Sequence, residues 1–198
     1  MAYLYYMKKL FFAISLFLFS VTAAIAQKDS LQFDESNKYV YYQVAEKPGM
    51  SSDTLYNRGI IFLKSIQAKS VNKTSPNNII SRGKFMVYGN ALVSKKEAGE
   101  VAYQLNIDTK EGKYRYKFSG FVFTPYKIDR FGSMVAVPGI AIPAEKLSSK
   151  YNKKESEAFL DQIATFCIAG AKQLSSYMDK IQAPKTVQPV KKVITDKW

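Results

Sequence analysis

Residues 101–124 read VAYQLNIDTKEGKYRYKFSGFVFT, and this stretch decides the fold class of the protein. From Val101 to Asp108, apolar or aromatic side chains alternate with polar or small ones, which is the two-residue period of a half-buried strand. The sequence Lys-Glu-Gly at 110–112 is typical of a tight turn, because glycine adopts positive φ at no steric cost. The following residues, 113–124, alternate again. The predicted apolar face of this second strand holds Tyr114, Tyr116, Phe118 and Val122, and the predicted polar face holds Lys113, Arg115 and Lys117. The stretch therefore predicts an antiparallel hairpin with one buried face.

The preceding region predicts a strand, a helix and another strand. Residues 38–44, rich in tyrosine and valine, are typical of a strand. Ser51 is a predicted N-cap for a helix over 52–68. Residues 69–78 are polar and contain a proline, so we expect a loop there. Residues 79–89 predict a strand with one apolar face, which holds Phe85 and Val87, and a second face, which holds Arg82, Lys84 and Met86.

A second, longer helix is predicted over 154–182. Asn152, with Glu155 three residues later, resembles a capping box, and Pro184 ends the helical pattern. One apolar stripe at helical spacing consists of Phe159, Ile163, Phe166, Gly170, Leu174, Tyr177 and Ile181. Residues 127–147 leave two alternatives open, a loop over the core or short edge strands, because their prolines and glycine exclude a long regular element.

The order of elements predicts an α+β fold in one domain, residues 38–182. Both helices are expected on one face of an antiparallel sheet, and the other face is left to solvent or a ligand. Residues 27–37 are predicted to be a polar lead-in, and residues 183–198, with two prolines and several lysines, a flexible basic tail.

Residues 1–26 predict a secretory signal peptide. Lys8 and Lys9 form a positive start, an apolar run follows over 10–21, and Ala-Ile-Ala at 24–26 is a small-x-small cleavage site before Gln27. The alternative is a membrane anchor, but the apolar run falls short of the roughly 20 residues that a span needs. We therefore expect export to the periplasm or the outside of the cell, with no transmembrane span after cleavage.

Composition excludes several kinds of chemistry. The sequence has no histidine and a single cysteine, Cys167, so histidine-dependent triads, histidine-ligated metals, intrachain disulfides and Cys-x-x-Cys motifs are all excluded. It carries 29 Lys+Arg against 16 Asp+Glu, and removal of residues 1–26 leaves 27 against 16, a net charge of +11. In an exported protein this charge favours an anionic envelope component or an envelope protein over nucleic acid as partner, and it leaves peripheral membrane contact open.

Three short motifs resemble a known family. They are Leu55-Tyr56-Asn57-Arg58 in the first helix, Gly83-Lys84-Phe85 in a strand, and Glu111-Gly112-Lys113-Tyr114-Arg115-Tyr116 at the hairpin. They are similar to motifs of exported bacterial proteins known as a domain of unknown function with a TBP-like fold. The resemblance covers residues 38–126 and implies a curved antiparallel sheet with helices on one side. The resemblance supplies no catalytic residues. The name of the fold is not evidence of DNA binding either, since a fold does not determine a function.

The predicted ligand-binding surface is the face of the sheet opposite the helices. It should gather Arg82, Lys84, Lys113, Arg115, Lys117, Gln104 and Asn106. Basic groups on a rigid sheet bind phosphate or carboxylate, although a solvated sheet face needs polar residues in any case. We expect a binding or assembly protein that is not an enzyme and needs no cofactor or metal. The alternatives are a hydrolase using carboxylates or a Ser/Lys pair, and an interaction module using the apolar 134–143 segment. The Ser-x-x-Lys pattern at 70–73 does not support the hydrolase, because it lies in a predicted loop and lacks the partner motifs of such enzymes.

Overall fold

The computed structural model describes residues 31–68, 70–89 and 96–179. The predicted signal peptide, the start of the lead-in and the predicted basic tail lie outside these residues.

Within the described residues the chain forms eight strands, two α-helices and one 3-10 helix. The strands are β1 (Gln32–Phe33), β2 (Tyr39–Glu46), β3 (Ser70–Ser75), β4 (Asn78–Gly89), β5 (Lys96–Lys110), β6 (Lys113–Ile128), β7 (Met134–Ala136) and β8 (Ile142–Pro143). The helices are α1 (Ser52–Ser65), α2 (Lys153–Asp179) and the 3-10 helix Ala144–Ser149. The strands pair antiparallel in the order β1-β2-β6-β5-β4-β3, and β7 and β8 pair with β6.

Both predicted helix N-caps are confirmed. The Ser51 hydroxyl accepts a hydrogen bond from the amide of Thr54 at 3.2 Å, and the Asn152 side chain accepts one from the amide of Glu155 at 2.9 Å. Helix α1 is shorter than the predicted 52–68, because Gln67 adopts a φ of 50° and turns the chain away from the helix.

Both helices pack on the same face of the sheet. The ring of Phe166 in α2 stacks on Phe85 in β4, with centroids 4.0 Å apart. A Cβ atom added at Gly59 in α1 would lie 3.1 Å from Cδ1 of Ile79, and one added at Gly170 in α2 would lie 3.0 Å from the Phe118 ring. These glycines bring the helices close to the strands, and the predicted α+β architecture with both helices on one face is confirmed.

Two segments predicted to be irregular form strands. The expected polar loop at 69–78 is wrong, because Ser70–Ser75 forms the edge strand β3 and pairs with β4. Likewise, the expected polar lead-in contains β1, which pairs with β2, and Leu31 before it is buried. Both are edge strands, where backbone hydrogen bonds on one side are enough and a repeating apolar pattern is not required.

The predicted face of β6 is wrong at one position. Phe121 and Phe123 are buried, and Val122 pairs with Ala102 on the other face. The cause is a β-bulge at Gly120, whose φ is 64°, where two residues of β6 lie opposite the single residue Tyr103 of β5. The extra residue shifts the alternation by one position.

The segment 127–147 takes the second of its predicted alternatives. The last residues of β6 pair with β7, and β8 pairs with β6 further back, so the segment forms short strands before the 3-10 helix. Ile142, Ala144 and Leu147 are buried, while Ile140 is exposed. The prolines and glycine thus interrupt the segment without removing it from the sheet.

Beyond β3, a side chain of α2 covers part of the β4 edge. The amide of Gln162 accepts a hydrogen bond from the backbone N–H of Tyr88 and donates one to its carbonyl, both at 2.9 Å. At this residue the glutamine replaces the backbone of a neighbouring strand.

Candidate ligand-binding site on the open sheet face

All seven predicted site residues lie on the face of the sheet that the helices leave uncovered, here called the open face. Arg82 pairs with Gln104, and Asn106 pairs with Lys117. Lys84, Lys113 and Arg115 are an even number of residues away from these positions on the same strands, so they share that face. The placement follows the predicted alternation, which holds in β6 up to the bulge at Gly120.

Two of the five cations are paired with acids that sequence reasoning did not include. Arg115 donates from Nε to Oδ2 of Asp108 at 2.8 Å, and Lys84 pairs with Glu100. Each hydrogen bond raises the pKa of its cation, and the negative charge of the acid adds to the effect. Arg82, Lys113 and Lys117 have no acidic group within ion-pair distance among the described residues.

The hydrogen bonds around Asp108 extend over several strands. Nδ2 of Asn78 in β4 donates to Oδ1 of Asn106 at 2.7 Å and also to Oδ1 of Asp108 in β5. Asp108 holds Arg115 in β6, and a hydrogen bond with Tyr42 in β2 further raises the pKa of Arg115. These residues, called the Asn78–Arg115 network below, join four strands and restrict the Arg115 side chain.

One atom of this network is unsatisfied. Oδ1 of Asn78 is buried and accepts no hydrogen bond. A buried acceptor without a partner costs free energy, and Asn78 carries this cost beside the two hydrogen bonds that its Nδ2 donates.

The open face holds three concave regions. The largest, about 760 Å³, extends from the open face to the end of α1, and its lining includes Ile66, Gln67, Ala68, Arg82, Lys84, Glu100 and Gln104. A second, about 360 Å³, lies at the β5–β6 turn and is called the turn cavity. Its charged lining residues are Asp108, Lys110, Lys113 and Arg115, and its other lining residues include Tyr42, Val44, Ser75, Asn77 and Asn78. A third region of about 140 Å³ lies beside Asn106 and Lys117. The predicted residues are therefore divided between separate hollows and do not converge on a single point.

Sequence reasoning missed Asn78, Asp108, Lys110 and Tyr42. The strand alternation could have indicated three of them, because residues an even number of positions apart share a face. Asn78 shares a face with Arg82 on β4, and Asp108 and Lys110 share a face with Asn106 on β5. For Tyr42 the register of β2 against β6 is needed, in which it lies opposite Lys117.

The sequence also raised metal binding, thiol chemistry and a Ser/Lys pair as possible kinds of site. In residues 31–68, 70–89 and 96–179, no three carboxylate or cysteine side chains are grouped so that they could hold a metal ion. Cys167 is buried, and this burial raises the pKa of its thiol. Ser70 and Lys73 of the Ser-x-x-Lys pattern belong to the edge strand β3. None of the helices described here is long and apolar enough to cross a membrane.

Comparison with known proteins finds one matching family. Residues 41–124 match the model of the domain of unknown function DUF4468 with TBP-like fold. The resemblance of the sequence to this family is therefore confirmed.

Two solved structures have a similar fold. A DUF4468 family protein from Bacteroides ovatus is 15% identical, with a TM-score of 0.56 over 77% of this chain and 92% of that one. A TBP-like protein from Parabacteroides distasonis is 14% identical, with a TM-score of 0.57 over 73% of this chain and 95% of that one. At this identity the likeness concerns the fold alone. No curated protein matches the sequence.

Proposed function

We propose that this chain is an exported envelope protein that binds an anionic partner through its open sheet face and catalyses no reaction. One observation carries the proposal: strand register gathers five cations on the single sheet face that the helices do not cover. Among the described residues, Arg82, Lys113 and Lys117 form no ion pair, although the charge of Lys117 acts on Asp34 and lowers the pKa of that carboxyl. Unpaired cations on a rigid surface are available to an anionic ligand.

The envelope location rests on the sequence. The pattern of residues 1–26 is that of a cleaved signal peptide, and the remaining charge of +11 suits surfaces rich in phosphate and carboxylate. We expect the protein isolated from its host to begin at Gln27. Intact-mass measurement tests this, and a mass that includes residues 1–26 would contradict the cleavage.

The binding role is tested by capture of envelope components on the purified protein. The test variant is Lys113→Glu/Arg115→Glu/Lys117→Glu, on the open face. The control variant, Lys150→Glu/Lys154→Glu/Lys172→Glu, makes the same change of charge at exposed lysines before and in α2. We expect capture by the wild type and the control, and loss of capture by the test variant.

Salt provides the second condition. Capture that depends on cations of the open face should weaken between low and high salt, because exposed charges are screened within about 10 Å at 0.1 M. Equal capture by all three proteins would contradict a binding role of the open face. Its charges would then be explained by solubility alone.

A further inference from the structure

The turn cavity differs from the rest of the open face in its balance of charge. Its lining contains three cations, Lys110, Lys113 and Arg115, and one acid, Asp108, which leaves a net charge of +2. The largest hollow, by contrast, is lined by Arg82, Lys84 and Glu100, and because Glu100 pairs with Lys84 its net charge is only +1. A dianion, rather than a single carboxylate, would balance the turn cavity.

Two of these cations are placed against each other. Lys110 and Lys113 form a cross-strand pair at the end of β5 and β6, and like charges directly opposite destabilise a sheet. Glu46 of β2 lies in register with Lys113, but no ion pair joins them. An anion bound between the two lysines would relieve their repulsion.

Arg115 is held ready for the same anion. Its Nε is engaged by Asp108 at 2.8 Å and its side chain also hydrogen-bonds with Tyr42, so the remaining N–H groups of the terminal guanidinium nitrogens are the donors left for a ligand. Arg115 is also 57% exposed in its side chain, so these nitrogens are accessible. A guanidinium oriented in this way binds phosphate through two parallel hydrogen bonds, and lysines add point charges.

The remaining lining residues suit a hydroxylated ring. Ser75 and Asn77, both exposed, supply a hydroxyl and an amide group on one side. On the other side lie Tyr42 and Val44, both exposed. Sugars combine hydroxyl groups with an apolar face of C–H groups that packs on an aromatic ring. The volume of about 360 Å³ is within the range of small-molecule sites.

We propose that the turn cavity binds a sugar phosphate, with the phosphomonoester between Lys110, Lys113 and Arg115 and sugar hydroxyls hydrogen-bonded to Ser75 and Asn77. A phosphomonoester carries a charge of about −1.5 to −2 at pH 7, which matches the +2 lining. Asp108 is a positioning residue, since it acts through Arg115. The inference rests on the proposed function and deepens it, because it names one cavity of the open face and one class of anion.

The first test is titration of the ¹⁵N-labelled protein with glucose 1-phosphate, glucose and inorganic phosphate. We expect glucose 1-phosphate to shift amide signals at 77–78 and 109–115 and to bind about tenfold more tightly than inorganic phosphate, with no binding of glucose alone. Equal affinity for glucose 1-phosphate and inorganic phosphate, or shifts spread over the whole open face, would overturn the sugar-phosphate site. No binding of glucose 1-phosphate would overturn it as well.

The second test separates positioning from simple attraction of charge. Removal of the acid in Asp108→Ala makes the cavity more positive, so charge alone predicts tighter binding of glucose 1-phosphate. Loss of the Arg115 position predicts weaker binding, and this is the result we expect. Tighter binding would overturn the positioning role.

Matched variants test the cations. Lys110→Gln, in the turn cavity, should weaken binding about tenfold, whereas Lys127→Gln, an exposed lysine elsewhere on the chain, should leave it unchanged. Urea unfolding of each variant shows whether the fold is retained, and Arg115→Lys provides a second, milder change at the central cation. Equal effects of Lys110→Gln and Lys127→Gln would overturn the site.

Vesicles distinguish the source of the ligand. Retention on phosphatidylcholine vesicles containing lipid A, with release by glucose 1-phosphate, would support a phosphorylated glycan headgroup. Binding of glucose 1-phosphate without retention would support a soluble sugar phosphate. If envelope capture depends on the open face but glucose 1-phosphate does not bind, only the sugar-phosphate inference fails. If glucose 1-phosphate binds but the open-face variant captures envelope components as well as the wild type does, only the envelope function fails.

Discussion

The two faces of the central sheet share one backbone and differ in almost everything else. On β6, Tyr116 lies on the covered face and is only 4% exposed. The preceding residue, Arg115, lies on the open face, and its side chain is 57% exposed. The covered face holds a cluster of aromatic rings that includes Phe85, Tyr103 and Phe118. The open face holds ion pairs and hollows. Because strand residues alternate, the residues that stabilise the fold and those of the proposed binding surface are neighbours in the sequence and can be changed separately.

The largest difference in stability between variants on the two faces is expected at Phe118 and Lys117. Phe118→Ala should lower the free energy of unfolding by about 3–5 kcal/mol, because it removes a ring packed between β6 and α2 and leaves a cavity. Lys117→Ala, one residue away on the open face, should change it by about 0.5 kcal/mol or less. Urea unfolding of both variants measures the difference. Equal losses would show that the open face carries part of the core.

A smaller loss is expected from overpacking the covered face. A Cβ atom at Gly99 would lie 2.2 Å from the backbone oxygen of Thr124 and 2.7 Å from the Phe123 ring. Gly99→Ala should therefore cost about 1–3 kcal/mol, because backbone must shift to accept the methyl group. Gly89→Ala is the control, since its nearest described atom is 3.8 Å away. Thermal unfolding that ranks Gly89→Ala as the more harmful change would contradict this account.

The covered face should also determine stability at high pH. Burial raises the pKa of Tyr116 above its ordinary value of 10.0. Below pH 10 the tyrosine is protonated in both states. Above pH 10 the unfolded chain loses the proton first, so the folded state loses stability by up to about 1.4 kcal/mol per pH unit for this group.

Tyr116→Phe removes this titration. The variant should lose stability less steeply than the wild type between pH 10 and 11, and at pH 8 the two should show parallel, flat dependence on pH. Chemical denaturation over this range measures both slopes. Identical slopes above pH 10 would mean that Tyr116 ionises as freely in the folded protein as in the unfolded chain.

The smallest effect is expected from an ion pair on the open face. Lys84→Gln removes the pair with Glu100, and exposed pairs contribute about 0–1 kcal/mol, so the free energy of unfolding should fall by less than that. The difference should shrink further in 1 M salt. A loss of several kcal/mol in urea unfolding would place Lys84 among the residues that hold the fold together.

The contrast between the faces was predictable where alternation is regular. Val101 to Phe118 alternates without interruption apart from the turn, and this pattern is local, so the sequence predicts both the hairpin and the face of Lys113, Arg115 and Lys117. The bulge at Gly120 broke the prediction for Val122, because an extra residue in one strand leaves no mark in composition. Strand β3 was missed because backbone bonding to β4 holds it, and its side chains show no apolar period.

The Asn78–Arg115 network could not be predicted from the sequence. Asn78 and Asp108 meet only when β4 and β5 pair in one particular register, and Arg115 joins them through a second pairing. Single-sequence periodicity assigns faces but not registers between strands. The individual cations were therefore predicted, and the partners that position them were not.

Gln162 has a consequence for how copies of this protein meet. Beyond β3, the edge of β4 carries the backbone N–H and carbonyl of Tyr88. If these groups were unpaired, a strand of another molecule could bond to them, and such open edges promote aggregation. The glutamine side chain occupies both groups at 2.9 Å, so a strand from another molecule must first displace it. The side-chain amide of Gln162 thus opposes extension of the sheet by another molecule. Helix α2 therefore covers part of the sheet edge as well as the core.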